Sequence, residues 1–150
     1  MRKSHRSECR KAVLKLLAKH AYRQGDFVLK CGEKTTEIVD CSMLFRTQKE
    51  LMLLSELLTK PLTGIRADGF GGPMSGADPI AVAAMLRIQR SYWCGVREKS
   101  KERGIDPGYI VGPVKAGNRV VVVEDVLTSG SSLIRAVVEL RVAGEEASPS

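Results

Sequence analysis

Apolar residues return every three or four positions along the first part of the chain. Val13, Leu14, Leu17, Ala18 and Ala21 form one stripe, with Lys11, Lys15 and Lys19 aligned on a separate face. That period predicts an amphipathic helix over roughly 9 to 22, ending near Gln24-Gly25. The segment FVLKCGEKTTEIVDC, 27–41, has β-rich ends around a polar centre and predicts a hairpin or two short strands. Thr47-Gln-Lys-Glu50 is a capping box, opening a helix that turns Leu51, Leu54, Leu57 and Leu58 inward and stops before Pro61. A short strand is expected near 64–68. It leads into GFGGPMSGADP, 69–79, whose glycine content argues against either regular structure. Asp78 as N-cap and Pro79 in the first turn then start a helix through about Arg90.

Tyr92 to Arg97 reads as a strand, EKSKERGIDPG (98–108) as a charged loop, and Ala116-Gly-Asn118 as a turn. The next strand carries four consecutive valines, 120–123. From about Ser131 a further helix runs through Ile134, Val137, Val138 and Leu140 and is expected to stop at Gly144. Strands alternating with helices predict an α/β fold with an open, mostly parallel sheet flanked by helices. The expected organisation is a single domain, 1–150, with a helix-and-hairpin subregion over 1–45 and a core over 46–150.

Composition changes little in this picture. With 43% hydrophobic and 27% charged residues, the chain has the balance of a soluble globular protein. No apolar run approaches the roughly 18 residues of a membrane span, and the basic N-terminus is not followed by a signal-type apolar segment. A cytoplasmic protein without a membrane partner is therefore expected. Cys9, Cys31, Cys41 and Cys94 form no CxxC pair, and His5 and His20 complete no zinc spacing with them, so reduced thiols rather than a metal site are expected. The net charge of +7 is concentrated: residues 1–23 hold eight Lys or Arg and one Glu, while the rest of the chain is neutral. Such a basic helix presents either a solvated face or a surface that attracts phosphate, in a nucleotide or in RNA.

Chemistry enters at VVVVEDVLTSGSS, 120–132. A β-branched run suits a strand covered on both faces, but two adjacent carboxylates at its end cannot be buried unpaired. In open α/β sheets that end is where ligands bind. Three nucleotide or hydrolase patterns fail on residues: there is no Gly-Lys-Ser/Thr for a P-loop, no third glycine after Gly69-Phe-Gly71 for a dinucleotide fingerprint, and no GxSxG. A fourth arrangement is coherent. Backbone N–H groups of 128–132 at a helix start face a phosphate. Thr128, Ser129, Ser131 and Ser132 add hydroxyl donors, and Gly130 permits close approach. Glu124 and Asp125 can accept hydrogen bonds from a vicinal diol. Together they describe a ribose 5-phosphate.

VVVVEDVLTSGSS resembles the motif with which type I phosphoribosyltransferases bind 5-phosphoribosyl 1-diphosphate (PRPP), the orotate branch being most similar. GDFVLKCGEKTTEIVDC, 25–41, resembles that family's base-pocket segment, GGPMSGADPIAVA, 71–83, its pyrophosphate loop, and VREKSKERG, 96–104, its mobile catalytic loop. The resemblance implies transfer of ribose 5-phosphate from PRPP to orotate, with Mg²⁺ as cofactor and a homodimer as the assembly. It implies PRPP contacts from Arg97, Glu124, Asp125, Val126, Leu127, Thr128, Ser129, Gly130, Ser131 and Ser132. Catalytic roles would fall to Lys101, Arg103 and Asp125, and a base contact to Lys30; no side chain is assigned to metal. Asp78 is expected to cap its helix rather than touch a ligand. Family members continue with further strands and an arginine for the orotate carboxylate. No Arg follows Arg141, so that part is taken as missing or diverged, the sheet is expected to show an unpaired edge beside the valine strand or its neighbour with an apolar face partly uncovered, and PRPP binding is expected to exceed orotate turnover. Two alternatives stay open: a PRPP-sensing regulator that uses the basic helix on nucleic acid, and a phosphoribosyltransferase for another base.

Overall fold

The computed structural model describes residues 2–29, 32–59, 62, 64–89, 91–103 and 108–146. The chain divides into two compact units, Met1–Leu57 and Leu58–Ser150.

In the first unit, α1 (Arg2–Leu16) begins seven residues before the predicted start. The apolar stripe marks only where the helix buries a face, at Cys9 and Val13. Upstream of it Arg, Lys and Glu favour helix and no Gly or Pro interrupts. A π-helical turn, Leu17–Ala21, ends the helix, and Tyr22 leaves directly into β1 (Tyr22–Val28). This strand pairs antiparallel with β2 (Lys34–Val39), Tyr22 opposite Val39, with a register shift between Gln24 and Phe27. The expected hairpin is thus present. The predicted capping box also forms: the Glu50 N–H donates to Thr47 Oγ1 at 3.2 Å, and the Thr47 hydroxyl donates to Glu50 Oε2 at 3.0 Å. It opens α2 (Gln48–Thr59), with Leu54 buried. Pro61 lies outside the described residues.

The second unit holds β3 (Gly69–Pro73), α3 (Asp78–Met85), β4 (Tyr92–Lys101), β5 (Gly108–Val111), β6 (Val120–Val122) and α4 (Ser131–Glu146). The strand order is β5-β4-β3-β6; β3 runs parallel to β4 and β6, and β5 antiparallel to β4. The expected mostly parallel sheet is therefore observed, but its elements differ from the prediction in five places.

The strand expected at 64–68 lies instead at 69–73, in the stretch set aside as too rich in glycine, and all five of its residues are buried. A Cβ on Gly71 would strike the Cys94 carbonyl and Sγ, and one on Gly72 the Val123 carbonyl. Close backbone approach on both sides, not intrinsic strand preference, selects glycine here. Asp78 does not cap α3. Its helical hydrogen bonds begin one residue earlier, with Ala81 N–H donating to Ala77 O at 2.9 Å, and Ala77 makes no side-chain cap. The helix ends at Met85, short of Arg90; the Ser91 hydroxyl donates to the carbonyls of Ile88 (2.7 Å) and Met85 (3.3 Å) and helps close its end. The charged loop starts as strand, since β4 extends to Lys101 and pairs with the unpredicted β5. Finally, α4 continues through Gly144, which has no positive φ and is followed by two glutamates.

The valine run is continuous because both sheet faces are covered. Val120 and Val122 pack with Cys94, Val96, Ala136 and Leu140 beneath α4. Val121 and Val123 pack with Phe70, Ala81 and Ala84 beneath α3. Among the described residues β6 is the edge of its sheet, as expected, and beside it an open groove of about 500 Å³ is lined by Val120, Val122, Val137 and Leu140. No helix among the described residues is long and apolar enough to cross a membrane.

Candidate active site

Two loops leave the carboxyl ends of adjacent parallel strands, β3 and β6. Past Val122 the chain keeps one more sheet bond, Val123 N–H to Gly71 O at 2.8 Å. Glu124 and Asp125 then emerge, both half-buried. Val126 and Leu127 follow at 40% and 64% exposure. Thr128, Ser129, Ser131 and Ser132 are also exposed, around the start of α4. Gly130 adopts φ +77°, a left-handed conformation that glycine enters without steric cost, and its carbonyl accepts the Ile134 N–H at 2.9 Å. Ser129 Oγ accepts from the Ser131 N–H at 3.4 Å and donates to Ser131 Oγ at 3.1 Å. The result is a row of hydroxyls and helix-start N–H groups open to solvent, the arrangement that attracts an anion.

The loop after β3, residues 74–77, meets this segment. A Cβ on Gly76 would come within 2.6 Å of Asp125 Oδ1 and 2.7 Å of Asp125 Oδ2, so the carboxylate lies directly against the glycine backbone. With no side chain at 76, the carboxylate rests there without having to shift. Met74 N–H anchors the loop's start on Val96 O at 2.8 Å, and the Met74–Ser75 peptide is cis. The glycine loop and the acid pair thus meet outside the strand ends, where α/β sheets bind ligands.

At the start of α3 and in β4 lie two buried polar atoms, Asp78 Oδ1 and Trp93 Nε1, neither in a hydrogen bond of good geometry. Burial pushes the Asp78 carboxyl above the usual carboxylate range, while the nearby Trp93 indole N–H pulls the other way. Leaving a buried donor or acceptor unpaired costs about 1–3 kcal/mol.

The β4–β5 hairpin carries the remaining predicted cations. Lys101 and Arg103 are exposed towards its tip. Arg97 Nη1 donates to Gly108 O at 3.0 Å and Ile110 O at 3.4 Å, bracing one strand of the hairpin on the other. Arg135, from α4, donates to the Glu98 carbonyl and ties the helix that starts at the hydroxyl row to the hairpin. Lys30 lies outside the described residues, so its expected base contact has no structural counterpart here. Cys94 is buried, which pushes its thiol up to about 11 and leaves it inert at neutral pH.

Sequence reasoning missed the Gly76–Asp125 contact, the Arg135 tie and the buried polar atoms of Asp78 and Trp93. Glycines at 69, 71, 72 and 76 were the available signal, because glycine within a strand pattern marks close backbone approach.

No protein-family model matches the chain. It is, however, similar to the orotate phosphoribosyltransferase of Pyrococcus furiosus, 38% identical over 133 residues that make up 87% of this chain and 72% of that protein. The orotate phosphoribosyltransferase of Synechocystis is 34% identical over 143 residues, 92% of this chain and 71% of that one. Among solved structures, a phosphoribosyltransferase from Corynebacterium diphtheriae superposes with a TM-score of 0.78 at 28% identity, over 91% of this chain and 77% of that one. Mycobacterium tuberculosis orotate phosphoribosyltransferase in complex with PRPP gives a TM-score of 0.71 at 26% identity, over 91% and 76%. Identity above one third across most of the chain, joined to this fold, places the protein in the orotate phosphoribosyltransferase family, whose members are glycosyltransferases.

Proposed function

We propose that this chain transfers the 5-phosphoribosyl group of PRPP to orotate, forming orotidine 5′-monophosphate and pyrophosphate in pyrimidine nucleotide biosynthesis. The observation that carries the reading is the contact of Asp125 with Gly76, which sets a carboxylate between a hydroxyl row and a glycine loop. The 5′-phosphate takes the N–H groups and hydroxyls of 128–132, with Val126 and Leu127 forming the approach. Glu124 and Asp125 accept from the ribose hydroxyls, and the diphosphate lies along 73–77.

Attack on the anomeric carbon puts positive charge on the sugar and negative charge on the leaving group, so catalysis is electrostatic positioning. Asp125 faces the developing positive charge. Lys101 and Arg103 cover the leaving group when the hairpin closes, braced by Arg97, which we include among the PRPP contacts. Lys30 contacts the base. The donor set suits a divalent cation that arrives on substrate oxygens: Glu124 and Asp125 offer hard carboxylate oxygens, while no three His, Cys, Asp or Glu side chains among the described residues converge on a metal. Mg²⁺ held in that way would neutralise charge on pyrophosphate. The proposal includes a homodimer and a cytoplasmic setting, which the buried, unreactive thiol of Cys94 suits.

The test is PRPP- and Mg²⁺-dependent consumption of orotate, run beside uracil, adenine, guanine and hypoxanthine. Orotate should disappear with one pyrophosphate formed per turnover. Consumption of another base in its place, or of none, contradicts the reading.

A further inference from the structure

The hairpin that carries Lys101 and Arg103 is irregular at its base. β4 and β5 pair at Gly95–Val111 and Val96–Ile110 and next at Lys101–Gly108, so Arg97, Glu98, Lys99 and Ser100 stand opposite Tyr109 alone. An insertion of this kind takes backbone groups out of the ladder and bends the strand, and beside active sites it aims side chains. Burial changes at the same place: Cys94, Gly95 and Val96 are buried, whereas Glu98, Lys99, Ser100 and Lys101 are all exposed. Beyond Arg97 the direction of β4 is thus left to polar contacts rather than to the core. Two guanidinium groups supply them. Arg97 Nη1 donates to the β5 carbonyls of Gly108 and Ile110, on either side of Tyr109. Arg135 Nη1 donates to the Glu98 carbonyl, inside the bulge. This second contact comes from a fixed base, since Ala136, the next residue of α4, is fully buried in one cluster with Cys94 and Val96. Arg135 also lies about one helical turn after Ser131 of the hydroxyl row.

We infer that Arg135 is a positioning residue for the catalytic hairpin: by holding the Glu98 carbonyl it sets the bulge, and so the place of Lys101 and Arg103, relative to the start of α4. The inference rests on the PRPP reading above, in which the start of α4 takes the 5′-phosphate and the two cations cover the leaving group. It gives α4 two tasks one turn apart, the phosphate cradle and the tie to the hairpin, so that phosphate and cations are referred to one rigid element. A guanidinium suits the second task, because it stays charged at every working pH and its hydrogen bond to a carbonyl is charge-assisted.

Hydrogen exchange of the full chain, read by mass without ligand, tests the tie itself. Arg135→Met removes the donors and keeps the stem; exchange of the amides at 97–103 should rise by about tenfold or more, while that of β3 stays unchanged. Arg135→Lys keeps a donor and should recover most of the protection. Turnover tests the consequence. Arg135→Met should lower kcat by about tenfold or more with the PRPP dissociation constant within about threefold, the scale of a small misplacement at a reacting centre. On a Lys101→Ala background the same substitution should cost no more than about threefold, because residues that act through one another are not additive. Arg135→Ala repeats both readings if Arg135→Met does not fold. Unchanged exchange at 97–103, the same kcat factor on both backgrounds, or a dissociation constant that rises as far as kcat falls overturns this inference and leaves the PRPP reading intact. Absence of PRPP binding to the unaltered chain overturns that reading and the inference with it.

Discussion

β3 and β1 are both short strands containing glycine, and they use it in opposite ways. In β3 all five residues are buried, and Gly69, Gly71 and Gly72 each leave space that a neighbouring ring, thiol or carbonyl fills. In β1 six of seven residues are exposed, and Gly25 sits at the register shift of the hairpin. Polar contacts among exposed groups hold that hairpin, such as Tyr22 OH to Glu37 Oε2 at 2.8 Å and Gln24 Nε2 to Tyr22 OH at 3.1 Å. Bonds of this kind contribute little net stability, because water competes for both partners. The strand that sets the proposed phosphate crevice is therefore fixed by close packing on both sides, while the strand that leads to Lys30 is lightly held. Geometry that must fit a charged transition state falls on the first kind of element.

The sharpest way to break this comparison is to add one methyl group to each side. Gly72→Ala drives a Cβ into the Val123 carbonyl and Ala77, and should cost about 4 kcal/mol or more. Gly32→Ala enters open space and meets only the strain of φ +87°, about 1–2 kcal/mol. Urea melts of the two variants should differ accordingly; equal midpoints would remove the contrast. Phe70→Ala, from a fully buried side chain, should cost about 3–5 kcal/mol. Val28→Ala, at 68% exposure, should stay within about 0.5 kcal/mol. A smaller effect separates packing from chemistry. Lys101→Ala should leave the melt unchanged and lower kcat by about ten- to a hundredfold with little change in PRPP affinity; a loss of affinity alone would make Lys101 a ground-state clamp.

The smallest effect is a pH dependence. Burial raises the Asp78 pKa in the folded chain, so the folded state holds that proton more tightly than the unfolded state. The corresponding stability is present below the unfolded pKa and is lost as pH rises through the folded one. Asp78→Asn removes the penalty. At neutral pH its Tm should equal or exceed that of the unaltered chain, and the gap should narrow on acidification. A Tm that falls at neutral pH would show that the carboxylate is a structural support.

What could be read in the sequence was local. The capping box at Thr47 and Glu50, the β1–β2 hairpin and the valine strand running into two acids each rest on neighbouring residues. The β3 strand was missed because glycine carries no apolar signal: its burial comes from backbones that approach across 23 and 51 residues, as Gly71 does with Cys94 and Gly72 with Val123. The four-residue β5 was missed because its pairing with β4, Lys101 opposite Gly108, lies across a segment that reads as charged loop. In the candidate site the residue types at 124–132 showed the chemistry, but not that Asp125 would settle on Gly76, a contact that only the parallel pairing of β3 and β6 creates.

The central claim is that the crevice between the β3 loop and the start of α4 binds ribose 5-phosphate through Asp125. Calorimetric titration of PRPP into the unaltered chain and into Asp125→Asn tests it most directly. The account predicts saturable binding that weakens by about 1–3 kcal/mol in the variant, through loss of charge-assisted hydrogen bonds to the ribose hydroxyls. Equal affinity in the two proteins would contradict it.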